Sequence, residues 1–153
     1  MAVEIRQATE HDIEWIIVEL QAFSKFFDSK YPLLGDEQLV RGMLDACRRD
    51  HYLRVADRVG NGDAVHLGFL AGTVTGHPFN PQIKTLTELL WWVKPEHRGS
   101  RAGLMLFDDF VQFGKDIAAN WIIFGLETIS PVSDEFMIRK GFKHKERNFL
   151  MEL

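Results

Sequence analysis

Residues Val93-Lys-Pro-Glu-His-Arg98-Gly-Ser-Arg-Ala-Gly103 concentrate the residue types that could hold an anion. They join an apolar run that reads as a strand to an amphipathic run that reads as a helix. The first turn of a helix leaves several backbone N–H groups without partners and carries a partial positive charge. Gly99, Ser100, Ala102 and Gly103 are small enough to let a ligand approach those amides closely. Arg98 and Arg101 add guanidinium groups suited to bidentate phosphate contacts. Such a loop would form an anion cradle of the kind that holds a pyrophosphate. The competing reading is a basic turn that merely connects strand to helix.

The flanking elements can be read from periodicity and turn chemistry. Val3 to Ala8 alternates as a strand, and Thr9 to Asp12 has the spacing of a capping box before Ile13, Ile16, Ile17, Leu20 and Phe27 recur at helical spacing. After a turn at Tyr31 to Gly35, Asp36 can cap a second helix with Leu39, Val40, Met43, Leu44 and Cys47 on its buried face. Two strands flank Gly60-Asn61-Gly62-Asp63, a hairpin signal, and the second extends to about Thr75. A loop from Gly76 to Pro81 precedes a strand from Thr85 to Val93. Gly103 to Asn120 reads as a helix, Trp121 to Leu126 as a buried strand, Ser133 to Lys140 as a short helix and Phe142 to Met151 as a closing strand. The expected order is β-α-α-β-β-β-α-β-α-β in one domain over residues 1–153. Its second half should hold a parallel strand–helix–strand crossover.

Composition narrows the function classes. Hydrophobic residues are 46% and charged residues 26%, the balance of a soluble globular chain. No apolar run approaches the roughly 20 residues that span a bilayer, and the N-terminus lacks a signal-peptide pattern, so a cytoplasmic protein is expected. The net charge of −4 argues against nucleic acid or anionic membrane as partner and suits a cationic or amine substrate. Two basic clusters run against that balance, Lys94 to Arg101 and Arg139 to Arg147; each is either a solvated face or an anion site. The histidines show no metal spacing and Cys47 is the single cysteine, so no metal site is expected.

The loop resembles the acetyl-CoA motif of the GCN5-related N-acetyltransferase (GNAT) family, Val-x-Pro-x-x-Arg-Gly-x-Gly-x-Gly/Ala at a strand-to-helix junction. Val93, Pro95, Arg98, Gly99 and Gly103 match in register, and Arg139-Lys-Gly141-Phe142 resembles the family's last helix-to-strand turn. The inferred order of elements is that family's order, so the resemblance covers nearly the whole chain. It implies an α/β fold with a mixed sheet whose central strands splay, acetyl-CoA as cosubstrate, and acetyl transfer to an amine by direct attack. The pyrophosphate would sit on the amides of Arg98 to Leu104, and the pantetheine arm along the strand edge from Trp91 to Val93. Ser130 stands where the family often has an asparagine that contacts pantetheine.

The resemblance also points to Glu88 as the general base. Its neighbours Leu89, Leu90, Trp91 and Trp92 would raise its pKa towards the range useful at neutral pH. Strict alternation puts Glu88 on the face of Leu90 and Trp92, opposite Trp91 and Val93. In some relatives the base would align with Thr87 instead, so the assignment to Glu88 depends on a bulge. A solvent-facing strand glutamate is the alternative.

Two positions depart from the pattern. Arg101 replaces a glycine, and Met137 replaces a tyrosine that protonates the departing thiolate. That proton would come from solvent, Ser130, Ser133, Tyr31 or Tyr52. Phe23, Phe26, Phe27 and Tyr31 are candidates both for an acceptor wall and for ordinary packing. His77 reads as a loop residue, and Trp91 with Trp92 as packing. The acceptor, whether small molecule or protein, is not written in the sequence, and the oligomeric state is open, a dimer among the options. Non-catalytic acyl-CoA binding or partner binding on the same fold is the rival reading.

Overall fold

The computed structural model describes residues 2–27 and 29–153. Its elements are β1 (Ala2–Gln7), α1 (Asp12–Ser24), α2 (Glu37–Asp50), β2 (Tyr52–Val59), β3 (Val65–His77), β4 (Asn80–Val93), a 3-10 turn (Pro95–His97), α3 (Ala102–Asp116), β5 (Trp121–Ile123) and α4 (Asp134–Arg139). The sheet has the order β1-β2-β3-β4-β5, antiparallel except for the parallel pair β4–β5 that α3 connects.

Several local features have an identifiable cause. The Asp36 carboxylate accepts the Leu39 amide at 3.0 Å, and Arg48 and Arg49 occupy the last turn of α2, where cations favour the carbonyl end. Asp12 reaches back to the amide and hydroxyl of Thr9 at the start of α1. Gly62 takes φ = +148° in the β2–β3 turn, which side chains other than glycine's resist.

The sheet is covered on both faces. Leu53, Val55, Phe69, Ala71 and Trp92 meet Ile13, Ile16, Ile17 and Leu20 of α1 and Leu44 and Cys47 of α2. On the other face Tyr52, Leu67, Leu70 and Leu86 meet Ala102, Leu106 and Phe110 of α3. This second layer packs closely: a Cβ on Gly72 would lie 2.5 Å from the Phe110 ring.

The structure corrects several expectations. Residues 142–153 form no strand, and Phe149, Leu150, Met151 and Leu153 are exposed. The reason is in the sequence: Lys143 to Asn148 is six consecutive polar residues, with no apolar face for a sheet to bury. The tail instead touches the α1–α2 connection, where Glu152 accepts from the Ser29 hydroxyl and Tyr31 donates to the Leu153 carbonyl. Leu39 is 72% exposed rather than buried, because α2 turns Leu44 and Cys47 inward. The expected loop at 76–81 is a tight hairpin between β3 and β4, and β5 is only three residues long. Phe27 lies beyond the end of α1. Among the described residues no helix is long and apolar enough to cross a membrane.

Candidate active site

β4 borders β5 only through Thr85, Leu86 and Thr87. Beyond Thr87 the two strands part, and Glu88 to Val93 line a cleft of about 850 Å3. One end is walled by Phe23, Phe27 and Val40 on the α1–α2 side, and the other by Ser100, Gly103 and Phe136 at the starts of α3 and α4. A ligand entering from α3 could therefore meet a second ligand entering from α1 and α2.

At the α3 end, the amides of Gly99, Arg101, Gly103 and Leu104 make no hydrogen bond among the described residues. The Ala102 amide is taken by Ser100 Oγ at 3.3 Å, and Ser100 itself turns on the His97 carbonyl. Four unpaired donors at one helix start are a geometry able to receive an anion. Packing does not require the glycines there: a Cβ on Gly99 would meet nothing within 4 Å, and one on Gly103 only an ordinary contact with Val93. The Arg98 guanidinium lies over the Trp92 ring at 4.8 Å while its Nε donates to the Val93 carbonyl at 3.2 Å. Arg98 thus caps the end of β4 at the cleft.

Glu88 sits where the strands part. Gly72 pairs with Glu88 and Ala71 with Leu90, so Leu89 is an extra residue, a β-bulge. Because Gly72 and Ala71 point to opposite faces, Glu88 and Leu90 do too. The bulge that the assignment needed is present, and it moves Glu88 off the face of Leu90 and Trp92 that strict alternation gives. The only hydrogen bond that the carboxylate accepts among the described residues is from the Gly125 amide at 3.4 Å. Burial pushes its pKa up to about 7; the Gly125 amide offsets part of this and the nearby charge of Glu127 adds to it.

Of the residues expected from the sequence, Glu88, Trp91, Val93, Arg98, Ser100, Gly103, Leu104 and Ser130 line this cleft. Gly99, Arg101 and Ala102 do not. Gly99 and Arg101 bring unpaired amides near it, whereas Ala102 is fully buried in the layer beneath α3 and its amide is already used.

A scan against models of protein families finds no match, and no curated protein matches the sequence. Solved structures do match along the full length. A protein from Clostridium acetobutylicum described as an acetyltransferase and solved with acetyl-CoA superposes with a TM-score of 0.72 at 12% identity, over 99% of this chain and 96% of that one. A ribosomal-protein-alanine N-acetyltransferase from Brucella melitensis gives 0.72 at 12% identity, over 100% of both chains. A transcriptional regulator from Bacillus halodurans gives 0.74 at 23% identity, over 99% of this chain and 100% of that one. This is the GNAT acetyltransferase fold.

Within that fold, Met137 is buried and offers no hydroxyl to a departing thiolate. Tyr52 is no substitute. It is fully buried against α3, does not line the cleft, and donates to Asp109 at 2.6 Å; burial raises its pKa far above the phenol range. Tyr31 is exposed, bonded to the tail, and absent from the cleft wall. Ser130 and Ser133 do line the cleft, and each uses its oxygen as an acceptor from a local amide, which leaves the hydroxyl proton to donate. His77 accepts from the Phe79 amide in the β3–β4 turn, away from the cleft.

Sequence reasoning missed Gly125 and Glu127, which set the environment of Glu88, and Leu33, Val40 and Met43, which wall the α1–α2 end. No motif marks them. Val40 and Met43 carry the same helical periodicity as true core positions. Arg139, flagged only as part of a basic cluster, stands at the α4 end of the cleft.

Proposed function

We propose that the chain, as one acetyltransferase-like domain over residues 1–153, transfers the acetyl group of acetyl-CoA to a primary amine in a ternary complex. The observation that carries this reading is Glu88, a carboxyl raised to about 7 at the point where β4 and β5 part. It sits in a cleft that leads to the unpaired amides of the α3 start. Neighbours of the same fold described as acetyltransferases support it.

In this mechanism the pyrophosphate lies on the amides of Gly99, Arg101, Gly103 and Leu104, with charge from the Arg101 side chain. Pantetheine follows the free edge of β4 from Trp91 to Val93, near Ser130. Glu88 in its ionised form takes a proton from the ammonium, directly or through water. The freed lone pair attacks the thioester carbonyl carbon, a C–N bond forms, and collapse of the tetrahedral intermediate breaks the C–S bond while the nitrogen gives up its second proton to solvent. The thiolate takes a proton from solvent or through Ser130 or Ser133. No covalent enzyme intermediate forms.

Calorimetry with acetyl-CoA on wild type and Gly103→Glu tests the cofactor site. A glutamate there fits the packing but sets a carboxylate against the pyrophosphate, so binding should weaken by at least about 100-fold. Equal affinity would remove the loop from the site. Release of free CoA thiol in the presence of amines then tests transfer. Tight acetyl-CoA binding without release for any amine would favour a non-catalytic acyl-CoA-binding protein.

A further inference from the structure

We infer that the acceptor is a small arylalkylamine, a single primary amine on an apolar aromatic body, rather than a polyamine, an aminoglycoside or a lysine-bearing peptide. The inference rests on the proposed acetyl transfer and deepens it. With CoA on the α3 side, the acceptor must enter from the α1–α2 end of the cleft. Among the described residues, every side chain that α1, α2 and their connection contribute to the cleft is apolar, Phe23, Phe26, Phe27, Leu33, Val40 and Met43 among them.

The aromatic groups form one cluster. Phe23 meets Phe27 edge-on at 4.9 Å and Trp92 edge-on at 5.5 Å, and Phe26 lies 5.6 Å from Trp92. A substrate ring inserted beside them extends that edge-to-face arrangement. Phe26 and Leu33 are half-exposed at the mouth, so an apolar entrance continues into an apolar wall.

Charge placement supplies the exclusion. Among the described residues, the acidic side chains that line the cleft are Glu88 and Glu127, both at the strand gap, where one ammonium would stand. Glu19, behind the cleft-lining Trp92, is occupied by the Trp92 indole at 2.8 Å and faces Lys94 at 3.7 Å. Arg98 adds a cation on that side, stacked over Trp92 and Phe26. A second ammonium would be desolvated against hydrocarbon and repelled by Arg98. A peptide would bring amides that these side chains cannot pair.

The test measures acetylation and binding separately, with phenethylamine, spermidine, kanamycin and a short lysine peptide as probes. For CoA release, kcat/KM with phenethylamine should exceed that with the polycations and the peptide by more than about 30-fold. Calorimetry on the CoA-loaded protein should detect phenethylamine binding. Leu33→Asp, at a side chain half in solvent and so compatible with folding, should weaken that binding by about tenfold or more while acetyl-CoA affinity stays the same. Phenethylamine binding without acetylation would sustain this inference and overturn acetyl transfer. Better acetylation of spermidine, kanamycin or the peptide would sustain acetyl transfer and overturn this inference, as would phenethylamine binding unaltered by Leu33→Asp.

Discussion

Asp12 and Glu88 are both carboxylates withdrawn from water, and the protein treats them in opposite ways. Asp12, 3% exposed, receives Arg6 through two nitrogens at 2.8 and 2.9 Å, the Thr9 amide at 2.7 Å and the Trp15 indole at 2.9 Å. Burial alone would raise its pKa, but Arg6, Thr9 and Trp15 together hold it well below the usual carboxylate range. Arg6 also pairs with Asp57 at 2.7 Å, and Asp57 meets His66, which stacks on Trp15. This knot ties β1, β2 and β3 to the start of α1. Glu88 has one long hydrogen bond and a like charge near it. A satisfied carboxylate fixes structure, whereas an under-satisfied one in a cleft retains the capacity to accept a proton.

The largest effect that would break this contrast is kinetic. Glu88→Gln keeps the shape of the site and removes the base. Once an acceptor is in hand, turnover near pH 7 should fall by about 10²–10⁴-fold with acetyl-CoA affinity largely intact. Wild-type turnover should rise with pH through about 7, since the ionised carboxylate is the active form. The deficit of the variant should shrink at high pH, where free amine is abundant. A variant that matches wild type at pH 7 would reduce Glu88 to an ordinary strand residue.

The opposite carboxylate should answer in stability and not in chemistry. Asp12→Asn leaves Arg6 with less compensation and should lower unfolding free energy by about 2–3 kcal/mol, with Arg6 partly solvated. The sign follows from the depressed native pKa. The contribution of Asp12 is fully present above the unfolded value near 4 and is lost progressively as pH falls from there through the depressed native value. Denaturant titrations at pH 7 and pH 3 should therefore show the gap between wild type and variant begin to narrow in acid. An Asp12→Asn protein as stable as wild type at pH 7 would mean the knot is decorative.

The two regions also differed in how far the sequence disclosed them. The loop proposed to hold phosphate is contiguous, so Arg98 to Leu104 can be read as one unit, and the turn signals at Gly60–Asp63 and Asp36 place the elements around it. What lies between elements was opaque. The surroundings of Glu88 come from a bulge at Leu89 and from Gly125 and Glu127, some 37 residues or more along the chain. A bulge adds a residue without altering composition, so alternation put Glu88 on the wrong face. The acceptor wall is drawn from α1, α2 and their connection, and Val40 there looks like Leu44, which is true core. The strand expected at Phe142 to Met151 was read from the residues themselves, but the polar run Lys143 to Asn148 leaves it no apolar face to bury.

The smallest effect separates a functional carboxylate from a structural one without any substrate. Between about pH 4.5 and 7, folded Glu88 holds a proton that the unfolded chain has released. The unfolded state therefore binds fewer protons, and this residue's contribution to stability falls as pH rises through that window. Above pH 7 the folded protein must keep a poorly solvated charge beside Glu127. The amide of the Glu88→Gln variant carries no such charge, so apo-protein melting should be nearly unchanged by the substitution at pH 5 and raised by it at pH 8.5. The gain should be about 1–2 kcal/mol, less than the full pKa difference implies because the cleft is open to water. Asp12→Asn is expected to destabilise at the same pH, so the two substitutions should move stability in opposite directions. Loss of stability in both would mean that Glu88 is held as firmly as Asp12, and a base held that firmly would be poorly suited to take a proton from an amine.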